Sequence, residues 1–159
     1  MKYGMAVALT AMVVAAGCSS GDLNQPLSPD RISSANNESS ARSGILATEK
    51  DCTNYYGRAG DTCTLTESNV KEIEVGSTVH YLVAANLETL TYDGAVVLDP
   101  PGPGNNAAFG HCTVNLAAGT GICMFSGGTG KFTSFNARVD VTPVGGAIYA
   151  WNGTYSYSP

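Results

Sequence analysis

A glycine-rich segment, "SGGTGKF", covers residues 126–132 and follows the apolar run 122–125. A phosphate-binding loop also follows a strand, and its backbone N–H groups and its lysine bind phosphate oxygens. Such a loop needs glycine five residues before Gly130 and serine or threonine after Lys131, but this chain has Phe125 and Phe132 there. The residues that follow alternate between polar and apolar, which predicts a strand and not the helix that holds phosphate. We therefore expect the glycines to join two strands and to bind no nucleotide.

The two histidines are the residues best suited to proton transfer. His80 lies in the run "TVHYLV", and His111 precedes Cys112. Either imidazole could act as a general base near a serine or an aspartate. Neither histidine belongs to a nucleophile elbow or pairs with an acid by spacing. The sequence therefore assigns no catalytic residue and no cofactor, and it favours a protein that is not an enzyme.

The first 17 residues have the composition of a signal peptide. Lys2 gives a positive start, and residues 4–16, "GMAVALTAMVVAA", are apolar but too few to span a bilayer as a mature helix. The segment ends in "AAGC", which resembles the lipobox of bacterial lipoproteins, although Ala15 stands where that family usually has leucine. The resemblance implies cleavage before Cys18 and acyl chains on Cys18 that attach the protein to a membrane of the bacterial cell envelope. The alternative is an ordinary secretory peptide in which Cys18 has no special role.

The remaining cysteines form an even set. They are Cys52, Cys63, Cys112 and Cys123. Four cysteines allow three pairings, and the sequence alone does not choose among them. The first two and the last two are each separated by eleven residues, which favours the local disulfides Cys52–Cys63 and Cys112–Cys123 across antiparallel hairpins. A zinc site with the two histidines is the alternative, but no C-x-x-C or close histidine pair occurs, so we expect no metal.

Residues 18–50 are rich in serine, asparagine, glycine and proline. Such a segment cannot bury enough apolar surface to offset the entropy lost on ordering, so we predict a disordered tether between the membrane and a domain of residues 51–159. Loss of residues 1–17 removes only Lys2 among the charged residues, which leaves seven basic and 13 acidic residues and a net charge of −6. This charge, without a basic patch, argues against nucleic acid as a partner.

The domain has the pattern of an all-β protein, because short alternating runs are broken by glycine, proline or asparagine. The candidate strands are residues 62–67, 71–75, 78–85, 95–98, 109–116, 121–125, 131–141 and 147–156. No stretch repeats with a helical period. Strands at this spacing predict a small antiparallel barrel, or a sandwich, of about eight strands that is stabilised by disulfide bonds.

The C-terminal 30 residues carry a second resemblance. The run 128–132, "GTGKF", followed by Val139 and an aromatic last strand, resembles allene-oxide-cyclase-like and dirigent-like barrels. The resemblance implies a small antiparallel barrel with an apolar cavity, and the plant members guide cyclisation or radical coupling of apolar substrates. No functional residue of that family matches a position here, and fold alone does not settle function.

The last candidate strand, "AIYAWNGTYSYS", carries an aromatic face. Alternation places Tyr149, Trp151, Tyr155 and Tyr157 on the same side of the strand. Large rings on one face usually fill a core or pack across strands. The alternative is a face that stacks against a sugar or a small apolar ligand.

Taken together, these features predict a lipid-anchored protein of the bacterial cell envelope whose β domain faces the periplasm or the exterior and binds or scaffolds another molecule. One alternative is a small barrel enzyme, such as a cyclase or isomerase, acting on an apolar substrate. The other is a structural surface protein without a pocket. An empty apolar interior would favour binding, polar groups beside His80 or His111 would favour an enzyme, and a filled interior would favour the structural role.

The lipid anchor can be tested directly at Cys18. We expect Cys18→Ala to lose acylation and to leave the membrane fraction, because stable anchoring requires two acyl chains on the protein. Metabolic labelling with a fatty acid measures the modification, and Ser19→Ala is the matched control that keeps it. Label retained in Cys18→Ala would show that the lipid is not on this residue.

Overall fold

Eight strands form along residues 42–158, which are the residues that the computed structural model of the protein describes. They are β1 (Arg42–Asp51), β2 (Thr62–Ser68), β3 (Thr78–Tyr81), β4 (Thr91–Asp99), β5 (Ala107–Asn115), β6 (Thr120–Thr129), β7 (Phe135–Gly145) and β8 (Ile148–Tyr157). Each strand pairs antiparallel with its neighbour in sequence, and β1 also pairs with β8. The sheet is therefore a closed barrel, which confirms the all-β prediction and decides for the barrel over the sandwich.

Alternation along each strand separates the core from the surface. In β7, Phe135, Val139 and Val141 are buried, whereas Arg138 and Asp140 are exposed. The same pattern recurs in the other strands, and the inward side chains form one continuous apolar cluster. Within residues 42–158, no helix is long and apolar enough to cross a bilayer.

The predicted tether boundary is wrong at its C-terminal end. Residues 42–50 fall within the predicted tether, but they form most of β1. This strand pairs with β2 on one side and, along its whole length, with β8 on the other. Strand pairing stabilises this segment, because its backbone pairs with β8 along its whole length and with β2 from Thr48 onwards, and Leu46 enters the core. Residues 18–41 of the tether, the segment 1–17 and Cys18 lie outside the described residues.

Five candidate strands also differ from the structure by four residues or more. Of these, β4 begins four residues before its predicted start, and β6 ends four residues after its predicted end. Residues 71–75 form turns and not a strand, because Val70 and Ile73 both point into the core and the Ile73 N–H bonds to the Val70 carbonyl. The strand predicted over 78–85 ends at Tyr81. The strand predicted to begin at residue 131 begins at Phe135, since Gly130–Phe132 form a single turn of 3-10 helix.

That turn joins β6 to β7. Residues 127–129 of the glycine-rich segment belong to the end of β6, so the predicted connection is correct only for Gly130. Gly130 adopts a φ of +55°, a conformation that favours glycine. The Lys131 ammonium donates to the Glu74 carboxylate at 2.5 Å, and the Phe132 ring is fully buried. The lysine therefore fixes the turn against the loop after β2.

Both local disulfides are present. Cys112 lies directly opposite Cys123 across β5 and β6, with Cα atoms 4.1 Å apart. Cys52 follows β1 and faces Cys63 in β2 at a Cα separation of 4.3 Å, which continues the register of Asp51 with Thr64. Each bond stabilises the fold by about 3 kcal/mol on the chain-entropy model. The four sulfurs are bonded in pairs, so they supply no thiolate for the alternative zinc site.

Trp151 is the largest side chain in the core, and only 1% of its surface is exposed. Its ring lies 5.5 Å from the Phe125 ring, centroid to centroid. Two residues further on, Gly153 lets the backbone of β7 at Arg138 and Val139 approach closely, because any Cβ at residue 153 would collide with it. The core interpretation of the aromatic strand is therefore correct for Trp151.

We expect Trp151→Ala to lower the free energy of unfolding by roughly 3–5 kcal/mol, because it leaves a large cavity in a packed core. Chemical denaturation measures the loss. Tyr56→Ala is the matched control, since that ring is 65% exposed and its removal should change stability little. In the parent protein, the single tryptophan should emit at short wavelength and resist quenching by iodide. A Trp151→Ala variant as stable as Tyr56→Ala would contradict the core assignment.

Candidate functional site

A lysine points into the barrel near one of its ends. Lys50 follows Leu46 and Thr48 on the inward face of β1, and only 3% of its surface is exposed. The alternation of the strand fixes this direction, because every second residue of a closed barrel points inward. The Cys52–Cys63 disulfide holds the end of β1 against β2 immediately after the lysine.

The Lys50 amine contacts aromatic groups. Its Nζ donates to the Tyr81 hydroxyl at 2.6 Å, and it lies 4.2 Å from the centroid of the Trp151 ring. Among the salt bridges within residues 42–158, none involves Lys50. A buried ammonium normally has a carboxylate partner, so this amine lies in an unusual environment for a charged residue.

Burial lowers the pKa of Lys50 to about 7, because the apolar surroundings disfavour the ammonium form. About half of the molecules therefore carry a neutral amine at pH 7. A neutral lysine is a nucleophile and a base, whereas an ordinary surface lysine is protonated and is neither.

Three tyrosines surround the amine. The Tyr81 ring lies 4.6 Å from that of Tyr55 and 5.0 Å from that of Tyr92. Burial raises the pKa of Tyr81 far above its usual value and that of Tyr55 to about 12, so both hydroxyls keep their protons at neutral pH. The Tyr81 oxygen lies 3.6 Å from Cys63 Sγ. Because a disulfide sulfur carries no hydrogen, Tyr81 is the donor in this weak contact.

The Tyr92 hydroxyl has a backbone partner, but the Tyr55 hydroxyl does not. Tyr92 donates to the Ala95 carbonyl at 2.7 Å. The Tyr55 oxygen is buried and makes no hydrogen bond to any described residue. A buried hydroxyl without a partner is unfavourable, and such groups in native proteins often bind a water or a ligand.

These side chains enclose a cavity of about 50 Å³, which we call the Lys50 chamber. Its lining residues are Lys50, Cys52, Tyr55, Tyr81, Tyr92, Val114, Leu116, Gly119, Val141 and Tyr149. Tyr55, Leu116 and Tyr149 are only half-buried, and they come from the end of the barrel where β1, β3, β5 and β7 finish. We call this partly exposed side of the chamber its mouth. The volume holds roughly three or four water molecules.

The predicted aromatic face is divided between different environments. Tyr149 lines the chamber mouth, and Trp151 lies in the core against Lys50. Tyr155 and Tyr157 pack against Phe135 towards the other end of the barrel. The four rings share one side of β8 as predicted, but they do not form one ligand-binding surface.

Neither histidine lines the chamber. His111 lies on the outer face, where its Nε2 is 2.6 Å from the Asp93 carboxylate. The hydrogen bond with His111, and to a lesser degree the one from Thr113, lowers the pKa of Asp93. His80 lies in a separate shallow depression beside Val97. Asp99, Asn105 and Asn106 also line that depression, so polar groups do lie beside His80, although on the outer face of the barrel and outside its interior.

A broader concavity of about 820 Å³ lies across β1, β8, β7 and β6. Its outward side chains form two rows that run across the strands. One row consists of Ser43, Ser156, Asn136 and Ser126. The other consists of Ile45, Thr154, Arg138 and Met124. The concavity is open to solvent, and its one charged group, Arg138, already pairs with Asp140 at 3.2 Å. It offers an open surface of polar and apolar side chains, among them the exposed Ile45 and Met124, but no enclosed group with altered chemistry.

Comparison with protein families, curated proteins and solved structures finds no match to the chain. The resemblances to bacterial lipoproteins and to dirigent-like barrels therefore stay predictions. The site must be interpreted from its own geometry.

Sequence reasoning missed Lys50, because the residue fell within the predicted tether. A signal for it existed in the cysteine spacing. If Cys52 faces Cys63 across antiparallel strands, the residues before Cys52 must pair with those after Cys63, which extends a strand back through Lys50. The alternation of Leu46, Thr48 and Lys50 then indicates that the Lys50 side chain points into the barrel.

The lowered pKa of Lys50 predicts that stability increases with pH above neutrality. Between about pH 7 and pH 10 the unfolded chain binds a proton at this lysine that the folded protein does not, so raising the pH favours folding, by a few kcal/mol at most. Above about pH 10 the trend reverses, because tyrosines ionise in the unfolded chain while Tyr55 and Tyr81 resist ionisation in the fold. Urea denaturation across pH 6 to 10 measures the profile.

We expect Lys50→Met to remove the increase with pH and to be more stable than the parent at pH 6, since an apolar side chain of similar length replaces a buried cation. Lys71→Met is the matched control, because Lys71 is exposed and should leave the profile unchanged. Parallel profiles for the parent and Lys50→Met would show that the lysine does not titrate in the fold as described.

Proposed function

We propose that the protein is a lipid-anchored protein of the bacterial cell envelope whose barrel binds a small polar ligand in the Lys50 chamber. The lipobox-like "AAGC" before Ser19 supports the anchor and the envelope location, with the lipid on Cys18. The two disulfides support an oxidising compartment, since such bonds persist outside the cytosol. On this proposal the barrel faces the periplasm or the exterior.

The observation that carries the binding role is the buried Lys50 amine without a carboxylate partner. Burying an unpaired ammonium costs several kcal/mol, and an apolar side chain at this position would give a more stable barrel. Groups that oppose stability are typical of binding and catalytic sites. A ligand that brings a carboxylate or carbonyl oxygen to Nζ would supply the missing acceptor.

The size of the chamber limits the ligand. At about 50 Å³ the chamber admits a molecule of a few heavy atoms and is much smaller than a sugar ring. Its walls are mainly tyrosine rings and aliphatic side chains, with Lys50 and the Tyr55 hydroxyl as polar groups. Apolar walls with a few polar groups suit a short-chain acid or carbonyl compound better than the carbohydrate or small apolar ligand predicted for the aromatic strand.

A structural role for the anchored barrel is the second candidate. The rest of the interior is filled, with Trp151, Phe132 and Phe135 completely or almost completely buried. A filled, disulfide-bonded barrel is well suited to persist at the cell surface without a ligand. This candidate does not account for the unpaired lysine.

Thermal unfolding with short-chain carboxylates tests the binding role. We expect propionate to raise the Tm of the full chain more at pH 6, where Lys50 is charged, than at pH 9, because the carboxylate pairs with the ammonium. At 100 times its Kd, such a ligand stabilises the fold by about 2.7 kcal/mol. Propionamide, which has no charge, should have a smaller effect.

Lys50→Met should lose the response to propionate, whereas Lys71→Met should keep it. An equal shift in both variants would place the binding elsewhere on the protein. No shift in the parent protein, with propionate and propionamide alike, would leave the structural role as the better explanation.

A further inference from the structure

We propose that Lys50 captures small aldehydes as an imine, with the Tyr81 hydroxyl transferring protons between the amine and the carbonyl oxygen. This inference rests on the proposed binding function, because the aldehyde would be the ligand of the Lys50 chamber. It names a chemical class of ligand and a covalent step that reversible binding does not require.

The first requirement is a neutral amine in a cavity that opens to solvent. Lys50 lines the chamber, and the partly exposed Tyr55, Leu116 and Tyr149 line it too, so the chamber reaches the surface of the barrel at this end. No carboxylate forms a salt bridge with the lysine among residues 42–158, so the charged form has no strong stabilising partner there. A desolvated lysine of this kind is a recognised nucleophile towards carbonyl carbon.

The second requirement is a proton donor beside the nucleophile. The Tyr81 oxygen lies 2.6 Å from Nζ, close enough to contact the atoms that react there. Burial holds the pKa of Tyr81 well above its usual value, so the hydroxyl is protonated whenever the amine is neutral. Tyr81 is therefore able to give a proton and to take one back.

The reaction balances without a further reagent. The Lys50 lone pair attacks the carbonyl carbon, and the carbonyl oxygen receives a proton from Tyr81 while the nitrogen returns one to it. The carbinolamine then loses its hydroxyl group as water: Tyr81 supplies a second proton to the hydroxyl group, the nitrogen lone pair forms the C=N bond, and the nitrogen returns its remaining proton to Tyr81. One aldehyde and one amine give one imine and one water, and nothing is oxidised or reduced.

The chamber favours a short aldehyde with an apolar tail. Val114, Leu116 and the tyrosine rings form the walls, and no described side chain other than Lys50 offers a positive charge for a phosphate group there. A protonated imine would lie over the Trp151 ring, whose centroid is 4.2 Å from Nζ. Aromatic faces stabilise such cations. Propanal fits these limits.

Two other lysines provide comparisons within the same molecule. Lys71 is exposed to water, and Lys131 donates to the Glu74 carboxylate. Neither lysine lies in the chamber, and neither has the Tyr81 hydroxyl beside its amine. Selective reaction at Lys50 would therefore reflect the chamber and not the general chemistry of lysine.

The experiment is reductive trapping. The full chain is incubated with propanal and sodium cyanoborohydride at pH 7, and peptide mapping by mass spectrometry locates each propylated lysine. We expect Lys50 to react at least about tenfold faster than Lys71, because far more of its amine is neutral. Tyr81→Phe should slow labelling of Lys50 by about tenfold or more, without slowing Lys71, because it removes the proton donor.

The pH profile separates a reactive amine from a merely accessible one. Labelling of Lys50 should rise towards pH 7 and then level off, whereas labelling of an exposed lysine keeps rising to about pH 10. Labelling of Lys50 no faster than that of Lys71 would overturn the inference. If propionate still raises the Tm in that case, the binding function stands and only the imine chemistry fails; if it does not, both fail.

Discussion

Closure of the sheet by the pairing of β1 with β8 is the constraint on which the rest of the structure depends. Ten residue pairs join these two strands and close the sheet, and β1 pairs with β2 on its other edge from Thr48 to Asp51. Inward and outward positions alternate along β1, and the register that places Leu46 and Thr48 in the core places Lys50 there too. Turning the lysine outward would require a shift of one residue along β1. That shift would expose Leu46 and bury Glu49. We expect this to cost more free energy than the burial of one amine.

The surroundings of Lys50 offset only part of the cost of its burial. The Tyr81 oxygen accepts one hydrogen bond from the ammonium, and the Trp151 ring presents its face to the charge. Neither partner carries a full negative charge, so the balance between ammonium and amine is shifted towards the amine. The disulfides and the aromatic core supply stability elsewhere in the barrel. A fold with that reserve can keep a group that opposes folding, and this is how functional sites persist in otherwise well-packed proteins.

Much of the fold follows from local patterns in the sequence, and the site does not. Alternation in residues 135–141 predicts the strand and its faces, and the equal cysteine spacings predict both disulfides. The first strand is missed because its sequence, "RSGILATEKD", has few apolar residues, and its stability comes from pairing with β8 about a hundred residues later. Local composition does not report a long-range pairing. Lys50 is missed for a related reason, since a lysine in a polar segment is normally exposed and only the closed barrel turns it inward.

The Cys52–Cys63 disulfide requires an oxidising compartment, and it also borders the chamber in which Lys50 lies. Cys52 lines the chamber, and Cys63 Sγ is the acceptor towards which the Tyr81 hydroxyl points. Because that acceptor cannot ionise or donate, the Tyr81 proton is directed away from Lys50, and a lone pair of the Tyr81 oxygen faces the ammonium. When the amine is neutral, the same hydroxyl is free to turn and donate to it. The oxidised sulfur thus allows both arrangements of the Lys50–Tyr81 pair, whereas a thiol at Cys63 could compete as a donor for the same oxygen. An oxidising compartment therefore preserves the proton arrangement of the site as well as the end of the barrel that encloses it.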